Sequence, residues 1–533
     1  MRRRSTQLTH DDIGKLIGLF AILLGGFLYL YPPALAGFPI NDGGLFYAMM
    51  RAIQANAYRL PIFVEYNGLS IPFAYPPFAL YVGAAASTLL HVDPIVILQW
   101  LPAIVLIGIS VAFYFLAAGL LDSPIEAGIA TFLYVCTPRS MTWLVMGGGL
   151  TRSFGQLFLL LTVLFVFSLY TLRDRRFIFW SIAAGSLVVL THPEAALQSV
   201  AACLLLWALM GRSRQATLDS LWVALGVLIL TAAWWAPVLM RHGAAPFASA
   251  GGTGRQLSVN LISPLLMTFA EEPMMTIIPV LGLVGLAVCM ARRGYLLPAW
   301  LVLAFLVDPR SAPTVATVPL VLMCALALHE AVLPAVERIR PSGAGGDSPS
   351  PYQSPVVCLL LAYLGVYLLV MSLYAGMNLS RVVVSPENRN AFEWAAHNTP
   401  AAGRFLILTG NTELFCDPVQ EWFPVLTGRI SESTIQGSEW ANRGRFFERV
   451  GSLQDIQLCM DANRPGDCLR QQASVAGLQF DYLYLTKIAA AGRGCRAEFL
   501  QRVGDRMLNE LYADAEFVTV YQTDAAEILR VRP

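Results

Sequence analysis

Long apolar stretches recur through the first 376 residues and are separated by short polar turns. A helix that crosses a bilayer needs about 20 predominantly apolar residues. The apolar windows are 13–35, 76–91, 95–121, 125–146, 153–172, 177–191, 194–210, 217–240, 274–291, 295–307, 313–336 and 356–376. This pattern predicts an all-α polytopic membrane protein with about 12 transmembrane helices.

The pattern changes after residue 376, where short apolar runs alternate with polar segments. Strand-like runs occur at 404–408, 482–485, 517–521 and 528–531, and helix-like stretches at 387–398, 440–452 and 495–511. Such alternation is typical of a small α/β domain. The predicted units are a membrane core at 1–340, a flexible Pro-, Gly- and Ser-rich linker at 341–355, a last membrane helix at 356–376 and a C-terminal domain at 377–533.

Composition supports this division. Of the 533 residues, 56% are hydrophobic and only 13% are charged, with a mean hydropathy of +0.58, whereas soluble chains contain about 25% charged residues. Residues 1–376 hold 36 charged side chains and residues 377–533 hold 35. These figures exclude a soluble globular enzyme. The net charge of +1 gives no basis for nucleic-acid binding by phosphate neutralisation.

Arginine-rich loops indicate the orientation of the chain, because cytoplasmic loops carry an excess of Lys and Arg. These loops are 2–4, 173–176, 212–214, 292–293 and 338–340. They predict a multi-pass plasma (inner) membrane protein with a cytoplasmic N-terminus and an extracytoplasmic C-terminal domain. Simple alternation puts 173–176 on the wrong side, so one earlier segment, 76–91 or the stretch at Gly147–Gly149, does not cross fully.

Four of the nine cysteines lie in the C-terminal domain, at Cys416, Cys459, Cys468 and Cys495. An even number of cysteines in an extracytoplasmic segment predicts two disulfides, with three possible pairings. The other five lie in apolar segments, where a thiol behaves as a small hydrophobic group.

The long first outer loop, 37–75, contains the first candidate for chemistry, Asp42. Leu45, Met49 and Ile53 follow at helical spacing and predict an amphipathic helix on the membrane surface. Asp42 precedes this helix, where a carboxylate often caps the free N–H groups of the first turn. Capping is therefore the structural alternative to a catalytic role.

Two further motifs complete a pattern with this loop. Tyr75-Pro76-Pro77 opens the next apolar stretch, and the turn Asp308–Pro313 contains Arg310 and precedes another. In order and topology, residues 10–335 resemble the polyprenol-dependent glycosyltransferases of the GT-C superfamily. The resemblance implies a GT-C-like fold and an inverting transfer of a sugar from a polyprenyl-phosphate donor to a lipid, glycan or protein acceptor.

The resemblance also implies roles for residues. Asp42 would act as general base, because an acceptor hydroxyl is a poor nucleophile until a carboxylate takes its proton. Arg310 and Arg152 would bind the leaving phosphate, although Arg310 could also be an interfacial arginine that only snorkels. One branch of the superfamily binds a metal. No second carboxylate lies between Glu126 and Asp174, so a divalent metal is possible but unsupported, and no metal ligand is assigned.

Four more ionisable residues lie at outer ends of apolar segments. His192 and Glu194 flank Pro193, and Glu271 and Glu272 precede the window at 274–291. Ionisable groups beside membrane helices are costly and often functional, so these four are predicted to bind substrate. In each case an ordinary helix start, with proline or acidic residues in the first turn, is the alternative.

Two segments of the C-terminal domain, Gln420–Pro424 and Gln436–Trp440, combine aromatic rings with amides and carboxylates. Such groups suit sugar binding, because rings stack on C–H faces while polar atoms bind hydroxyls. Packing of the tryptophans in a core is the alternative.

The sequence therefore favours an integral membrane glycosyltransferase of the cell envelope. Its expected partners are a polyprenyl-phosphate-linked sugar, membrane lipids and an acceptor. Two lysines against 34 arginines suggest a GC-rich bacterial genome. A transporter or lipid flippase and a non-catalytic assembly protein for cell-surface polymer are the alternatives.

Overall fold

A computed structural model describes residues 9–252, 262–338, 354–441, 445–491 and 495–532. Within these ranges the chain is helical up to residue 379, apart from one hairpin, and forms a mixed α/β unit thereafter. The linker predicted at 341–355 lies outside the described residues except for its last two positions, where the final membrane helix begins.

The described membrane part consists of sixteen α-helices and one β-hairpin. The helices are α1 (His10–Ala36), α2 (Gly44–Ala55), α3 (Phe78–Leu90), α4 (Pro94–Leu121), α5 (Pro124–Cys136), α6 (Gly149–Leu172), α7 (Arg176–Val189), α8 (Pro193–Met210), α9 (Arg214–His242), α10 (Ala245–Gly252), α11 (Ile262–Leu265), α12 (Ile277–Ala291), α13 (Leu296–Val307), α14 (Ala312–Leu326), α15 (Leu333–Arg338) and α16 (Pro355–Leu379). A π-helical turn at Ala327–Val332 joins α14 to α15. The hairpin pairs β1 (Phe63–Tyr66) with β2 (Leu69–Pro72).

Seven helical segments of the described ranges are long and apolar enough to cross a membrane. They are α1, α4, α6, α8, α9, the continuous helix α14–α15, and α16. Five shorter apolar helices, α3, α5, α7, α12 and α13, accompany them. Large apolar side chains such as Leu23 and Ile229 are more than half exposed, as expected of helices that face lipid. The predicted polytopic membrane fold is confirmed.

Helix α3 explains why simple alternation fails in the first quarter of the chain. The hydroxyl of Tyr58, just after α2, lies 2.6 Å from Oγ1 of Thr88, near the C-terminal end of α3. At its other end, the N–H of Phe78 donates to the carbonyl of Leu190, after α7, at 2.8 Å. Both ends of α3 therefore lie at the end of the bundle that carries the first loop, so the segment predicted as a span at 76–91 does not cross.

The C-terminal domain has a five-stranded mixed sheet in the order β4-β3-β5-β9-β8. The strands are β3 (Arg404–Leu408), β4 (Ile430–Ser431), β5 (Tyr482–Thr486), β6 (Ile488–Ala491), β7 (Phe499–Arg502), β8 (Phe517–Gln522) and β9 (Ala526–Val531). The helices are α17 (Pro386–Asn398), α18 (Pro418–Thr427), α19 (Ser438–Ala441), α20 (Phe446–Leu458), α21 (Pro465–Val475) and α22 (Asp505–Ala513). Strand β3 is parallel to β4 and β5, whereas β9 is antiparallel to β5 and β8. The predicted α/β domain is confirmed.

One predicted element of this domain is wrong. The sequence predicts a single helix over 495–511, but the structure has strand β7 followed by the short helix α22. Strand β7 pairs with β6, and Gly504 adopts a φ of +79° between β7 and α22. Strand pairing depends on a partner outside the local window, so it overrides a helix-like periodicity.

The two predicted disulfides are present, and the structure selects one of the three pairings. Cys416 is bonded to Cys495, and Cys459 is bonded to Cys468. The first bridge links residues 79 positions apart and the second links residues 9 positions apart. The first therefore closes about half of the domain into a loop, and the second closes one turn between helices.

The first loop and the C-terminal domain share a hydrophobic core. Met49 and Ile53 of α2 belong to the same buried cluster as Phe392 of α17 and Trp422 and Phe423 of α18. The expectation that the apolar face of α2 rests on the membrane surface is therefore wrong, because protein covers that face. This shared core holds the loop against the domain.

The two bridges are expected to differ in their contribution to stability. In the chain-entropy view, the longer loop restricts the unfolded chain more, by about 2 kcal/mol. We expect C416S/C495S to lower the Tm of the purified protein more than C459S/C468S, measured in the same detergent. Equal or reversed shifts would contradict this ranking.

Candidate active site

Asp42 is fixed by the start of α6 and not by the helix that follows it. Its Oδ1 accepts a hydrogen bond from the N–H of Gly148 at 2.9 Å, and its Oδ2 pairs with Nη2 of Arg152 at 2.6 Å. The N-cap of α2 is Gly43, which provides no side-chain hydrogen bond. The capping alternative for Asp42 is therefore wrong, because its carboxylate turns away from α2.

Close backbone contact makes this arrangement possible. The N–H of Gly147 donates to the carbonyl of Ile40 at 2.9 Å, which aligns the first loop with the turn before α6. A Cβ on Gly148 would lie 2.4 Å from Oδ2 of Asp42, well inside van der Waals contact. The glycines before α6 thus leave room for a carboxylate where α6 begins.

Arg310 and Glu194 form a second charged pair at the same end of the bundle. Nε of Arg310 lies 3.4 Å from Oε1 of Glu194, and their side chains are 45% and 29% exposed. Asp308 caps the turn by accepting from the N–H of Ser311 at 3.2 Å. Arg310 is therefore held beside a carboxylate and still reaches solvent.

His192 is the N-cap of α8, and its Nδ1 accepts from the N–H of Ala195 at 3.3 Å. The helix-start interpretation is thus correct for the His192–Glu194 segment, although Glu194 also pairs with Arg310. Burial, together with Arg152 and Arg310, lowers the pKa of His192 to about 3. The imidazole is consequently neutral at physiological pH.

Glu271 lies in a cluster with two arginines, and it does not start a helix. Its carboxylate pairs with Arg139 at 2.7 Å and with Arg496 of the C-terminal domain at 2.6 Å, and accepts from the hydroxyl of Thr142 at 3.0 Å. Burial disfavours its charge, but the two guanidiniums outweigh burial and hold its pKa below the ordinary value. Glu272, by contrast, accepts from the N–H of Ile278 at the start of α12, as the helix-start alternative proposes.

Trp143 connects this cluster to Asp42. The guanidinium carbons of Arg139 and Arg152 each lie 5.6 Å from the centroid of its ring, a distance at which a cation is attracted to the ring face. Asp42 and Glu271 therefore belong to one charged region, in which each carboxylate is paired with arginine. Arg310 and Glu194 are near this region, because both act electrostatically on Tyr75, as Arg152 does.

No family model and no curated protein matches the chain, but solved structures do. The archaeal oligosaccharyltransferase AglB from Archaeoglobus fulgidus, in complex with an inhibitory peptide and a dolichol-phosphate, has a TM-score of 0.54 at 13% identity, covering 88% of this chain and 69% of that chain. ArnT from Cupriavidus metallidurans, bound to undecaprenyl phosphate, has a TM-score of 0.54 at 12% identity, covering 96% and 97%. The arabinofuranosyltransferase AftD from Mycobacteria has a TM-score of 0.52 at 17% identity, covering 100% and 40%.

The chain has the fold of the GT-C membrane glycosyltransferases. This confirms the fold that the resemblance of the loop and turn motifs implies. ArnT matches nearly end to end, whereas the chain spans less than half the length of AftD. At such identities the likeness establishes the GT-C fold and leaves the chemistry to the residues of this chain.

Sequence reasoning misses Arg139 and Arg496 at this site, and it assigns Glu421, within the segment Gln420–Pro424, to sugar binding and not to a contact with the first loop. Glu421 accepts from the N–H groups of Gly43 and Gly44 at 2.8 and 3.1 Å, directly after Asp42. Arg139 and Arg496 hold Glu271. The Gly-Gly pair after Asp42 is the available signal for Glu421, since it marks a place where another backbone approaches closely.

The two aromatic segments of the C-terminal domain differ in their surroundings. Trp422 and Phe423 are fully buried, so the core interpretation is correct for them. Trp440 is half-buried and packs in a cluster with Ala74 and Trp234. Sugar binding by the second segment stays a prediction.

A divalent metal does not fit the residues around Asp42. Asp42 is paired with the cation Arg152, which would repel a metal ion, and Oε1 of the nearby Glu421 accepts two N–H groups. In the part of the chain that the structure describes, no three His, Cys, Asp or Glu side chains gather as a metal site would require. We therefore derive no step through a metal.

The contact between Gly148 and Asp42 predicts that substitutions at the two positions have non-additive effects on the free energy of unfolding. Gly148→Ala should destabilise the protein by about 1–3 kcal/mol, because the new methyl group overlaps the carboxylate. In an Asp42→Ala background the overlapping atoms are gone, so the same change should cost much less. A double-mutant cycle of thermal stability measures this coupling.

Gly451→Ala is the matched control, because a Cβ there meets nothing within 4 Å. Gly451 lies inside α20, so the change should raise the stability by up to about 1 kcal/mol through helix propensity, and by the same amount in both backgrounds. Additive effects of Gly148→Ala and Asp42→Ala would contradict the observed contact.

Proposed function

We propose that the protein is an integral membrane glycosyltransferase that moves a sugar from a polyprenyl-phosphate donor to a lipid, glycan or protein acceptor. The observation that carries the proposal is the partly exposed Asp42 carboxylate, fixed by Gly148 and Arg152 on a GT-C fold. Arg310, nearly half exposed, lies at the same end of the bundle. One carboxylate and reachable guanidiniums are what this reaction needs.

Asp42 is the proposed general base. The acceptor hydroxyl oxygen attacks the anomeric carbon of the donor, and its proton passes to a carboxylate oxygen of Asp42. The bond between the anomeric carbon and the phosphate oxygen breaks, and the polyprenyl phosphate leaves with the electron pair. Attack opposite the leaving group inverts the anomeric configuration.

Arginines are the proposed phosphate ligands. In the charged region described above, Arg139, Arg152, Arg310 and Arg496 face three carboxylates, Asp42, Glu194 and Glu271. The buried Nε of Arg152 has no hydrogen-bond partner among the described residues. The clustered guanidiniums and the free donor suit a phosphate, which guanidinium binds in a fixed geometry.

The donor class also rests on the solved neighbours, one bound to a dolichol-phosphate and another to undecaprenyl phosphate. A polyprenyl chain partitions into lipid beside apolar helices, while its phosphate stays at the interface with the arginines. The Arg-rich loops at 173–176, 212–214 and 292–293 follow cytoplasmic ends of helices under the positive-inside rule. If α3 does not cross, alternation supports a site and a C-terminal domain on the outer side of a plasma (inner) membrane.

Substitution of the proposed base should abolish most of the activity. We expect Asp42→Asn to lower kcat by about 10²–10⁴-fold, because the amide keeps the shape but cannot take a proton. The measurement is transfer of radiolabelled sugar from a panel of polyprenyl-phosphate donors in proteoliposomes. Glu65→Gln is the matched control, because Glu65 is an exposed carboxylate of the same loop, and it should transfer at the wild-type rate.

Full activity of Asp42→Asn would refute the role of the base. Absence of transfer by the wild-type protein with every donor would favour a transporter, a flippase or an assembly protein, which bind glycans without forming a bond.

Substitution of the proposed phosphate ligand should lower the efficiency with which the protein uses the polyprenyl-phosphate donor. We expect Arg310→Ala to weaken donor use by about 10-fold or more in kcat/KM, corresponding to the loss of a charge-assisted hydrogen bond. Arg310→Lys should recover only part of the effect, because lysine lacks the bidentate fork. Arg464→Ala, at an exposed arginine of the C-terminal domain, is the control. An unchanged kcat/KM in Arg310→Ala would support simple snorkelling.

A further inference from the structure

The loop that carries Asp42 is held from the other side by the C-terminal domain. Oε1 of Glu421, in α18, accepts hydrogen bonds from the N–H groups of Gly43 and Gly44 at 2.8 and 3.1 Å. The adjacent Trp422 donates through Nε1 to the carbonyl of Asn41 at 3.0 Å. Two consecutive side chains of one helix therefore bind the backbone immediately before and after Asp42.

The sequence of the loop fits this contact. Gly43 has a φ of +133°, and a Cβ there would lie 3.0 Å from Cζ2 of Trp422. A Cβ on Gly44 would lie 2.6 Å from the carbonyl oxygen of Glu421. Both glycines are thus required by the close approach of α18. The Asp-Gly-Gly sequence is explained by this packing and not only by a turn.

Other contacts orient Glu421 itself. Its side chain is buried, with the residue 4% exposed, and its carbonyl accepts from the hydroxyl of Tyr66 in β1 at 2.7 Å. Asn41 adds an anchor, because its Nδ2 donates to the carbonyl of Phe415 at 3.1 Å. Phe415 adjoins Cys416, which the disulfide joins to Cys495. The contacts that hold the loop are therefore adjacent to the disulfide that cross-links the domain.

We propose that Glu421 is a positioning residue for Asp42: it caps the first turn of α2 and thereby sets where the catalytic carboxylate points. This inference rests on the proposed function. Without the cap, two buried N–H groups lose their partner. The loop would then relax away from Gly148 and Arg152, which contact Asp42 from the opposite side. A displacement of about 1 Å in a reacting group can cost about 100-fold in rate.

The role needs an acceptor oxygen and not a negative charge. Burial and the neighbouring Asp42 carboxylate raise the pKa of Glu421 above its ordinary value, so a neutral side chain is favoured at this position. Glutamine has the same shape and offers an amide oxygen to the same N–H groups. Glu421→Gln and Glu421→Ala therefore separate capping from charge.

Two readouts test the proposal in the full-length protein in nanodiscs. The first is hydrogen exchange of the peptide 41–47, measured by mass spectrometry. We expect faster exchange in Glu421→Ala and wild-type exchange in Glu421→Gln. The second is sugar transfer, for which we expect Glu421→Ala to lower kcat about 100-fold with the donor KM changed less than threefold. Glu421→Gln should stay within a few-fold of wild type.

Glu393→Ala is the control, because Glu393 is an exposed carboxylate of α17 in the same domain, and it should change neither readout. Unchanged exchange in Glu421→Ala, or faster exchange with an unchanged kcat, would overturn the proposal. Equal loss of activity in Glu421→Gln and Glu421→Ala would overturn it too, because charge or proton transfer would then be the role of Glu421.

The exchange measurement also separates this inference from the proposed function. If the wild type transfers no sugar while exchange still distinguishes alanine from glutamine, the transferase proposal fails and the restraint on the loop stands.

Discussion

The site depends on keeping one carboxylate charged at the boundary between the first loop and α6. A partly buried anion is costly unless donors surround it, and Asp42 obtains them from the N–H of Gly148 and the guanidinium of Arg152. Both donors belong to the start of α6, so the position of this membrane helix fixes the carboxylate. Gly148 is a consequence, because a Cβ there would occupy the space of the carboxylate.

Much of this could be predicted from the sequence, for a simple reason. Charged residues are rare in apolar sequence, so Asp42, Arg152, Glu194 and Arg310 stand out without any structure. The structure gathers them at one end of the bundle as two ion pairs. Length and hydropathy likewise reveal the membrane helices. They are misleading at α3, whose composition is that of a short span and whose contacts keep it on one side.

The rest of the site could not be predicted, because its partners are far apart in the chain. Glu421 meets Gly43 across 378 positions, and Arg496 meets Glu271 across the linker and most of the C-terminal domain. Arg496 is not distinguished by its neighbours in sequence, and the aromatic neighbours of Glu421 indicate sugar binding rather than a contact with the first loop. Local patterns also favour the wrong partner for Asp42, since a carboxylate before a helix is usually its cap. Here Glu421 takes that place and leaves Asp42 free to face α6.

Because Glu421 and not Asp42 caps α2, the C-terminal domain has a structural role in the first loop. Helix α2 begins inside the protein, and a buried helix start leaves N–H groups that need acceptors. If Asp42 itself accepted the hydrogen bonds from these N–H groups, its carboxylate would point towards α2 and could not face a substrate. An acceptor from another segment resolves the conflict, and α18 supplies it together with Trp422 on the other side of the loop. The domain therefore completes the structure of the first loop, and the orientation of Asp42 is a property of both parts together.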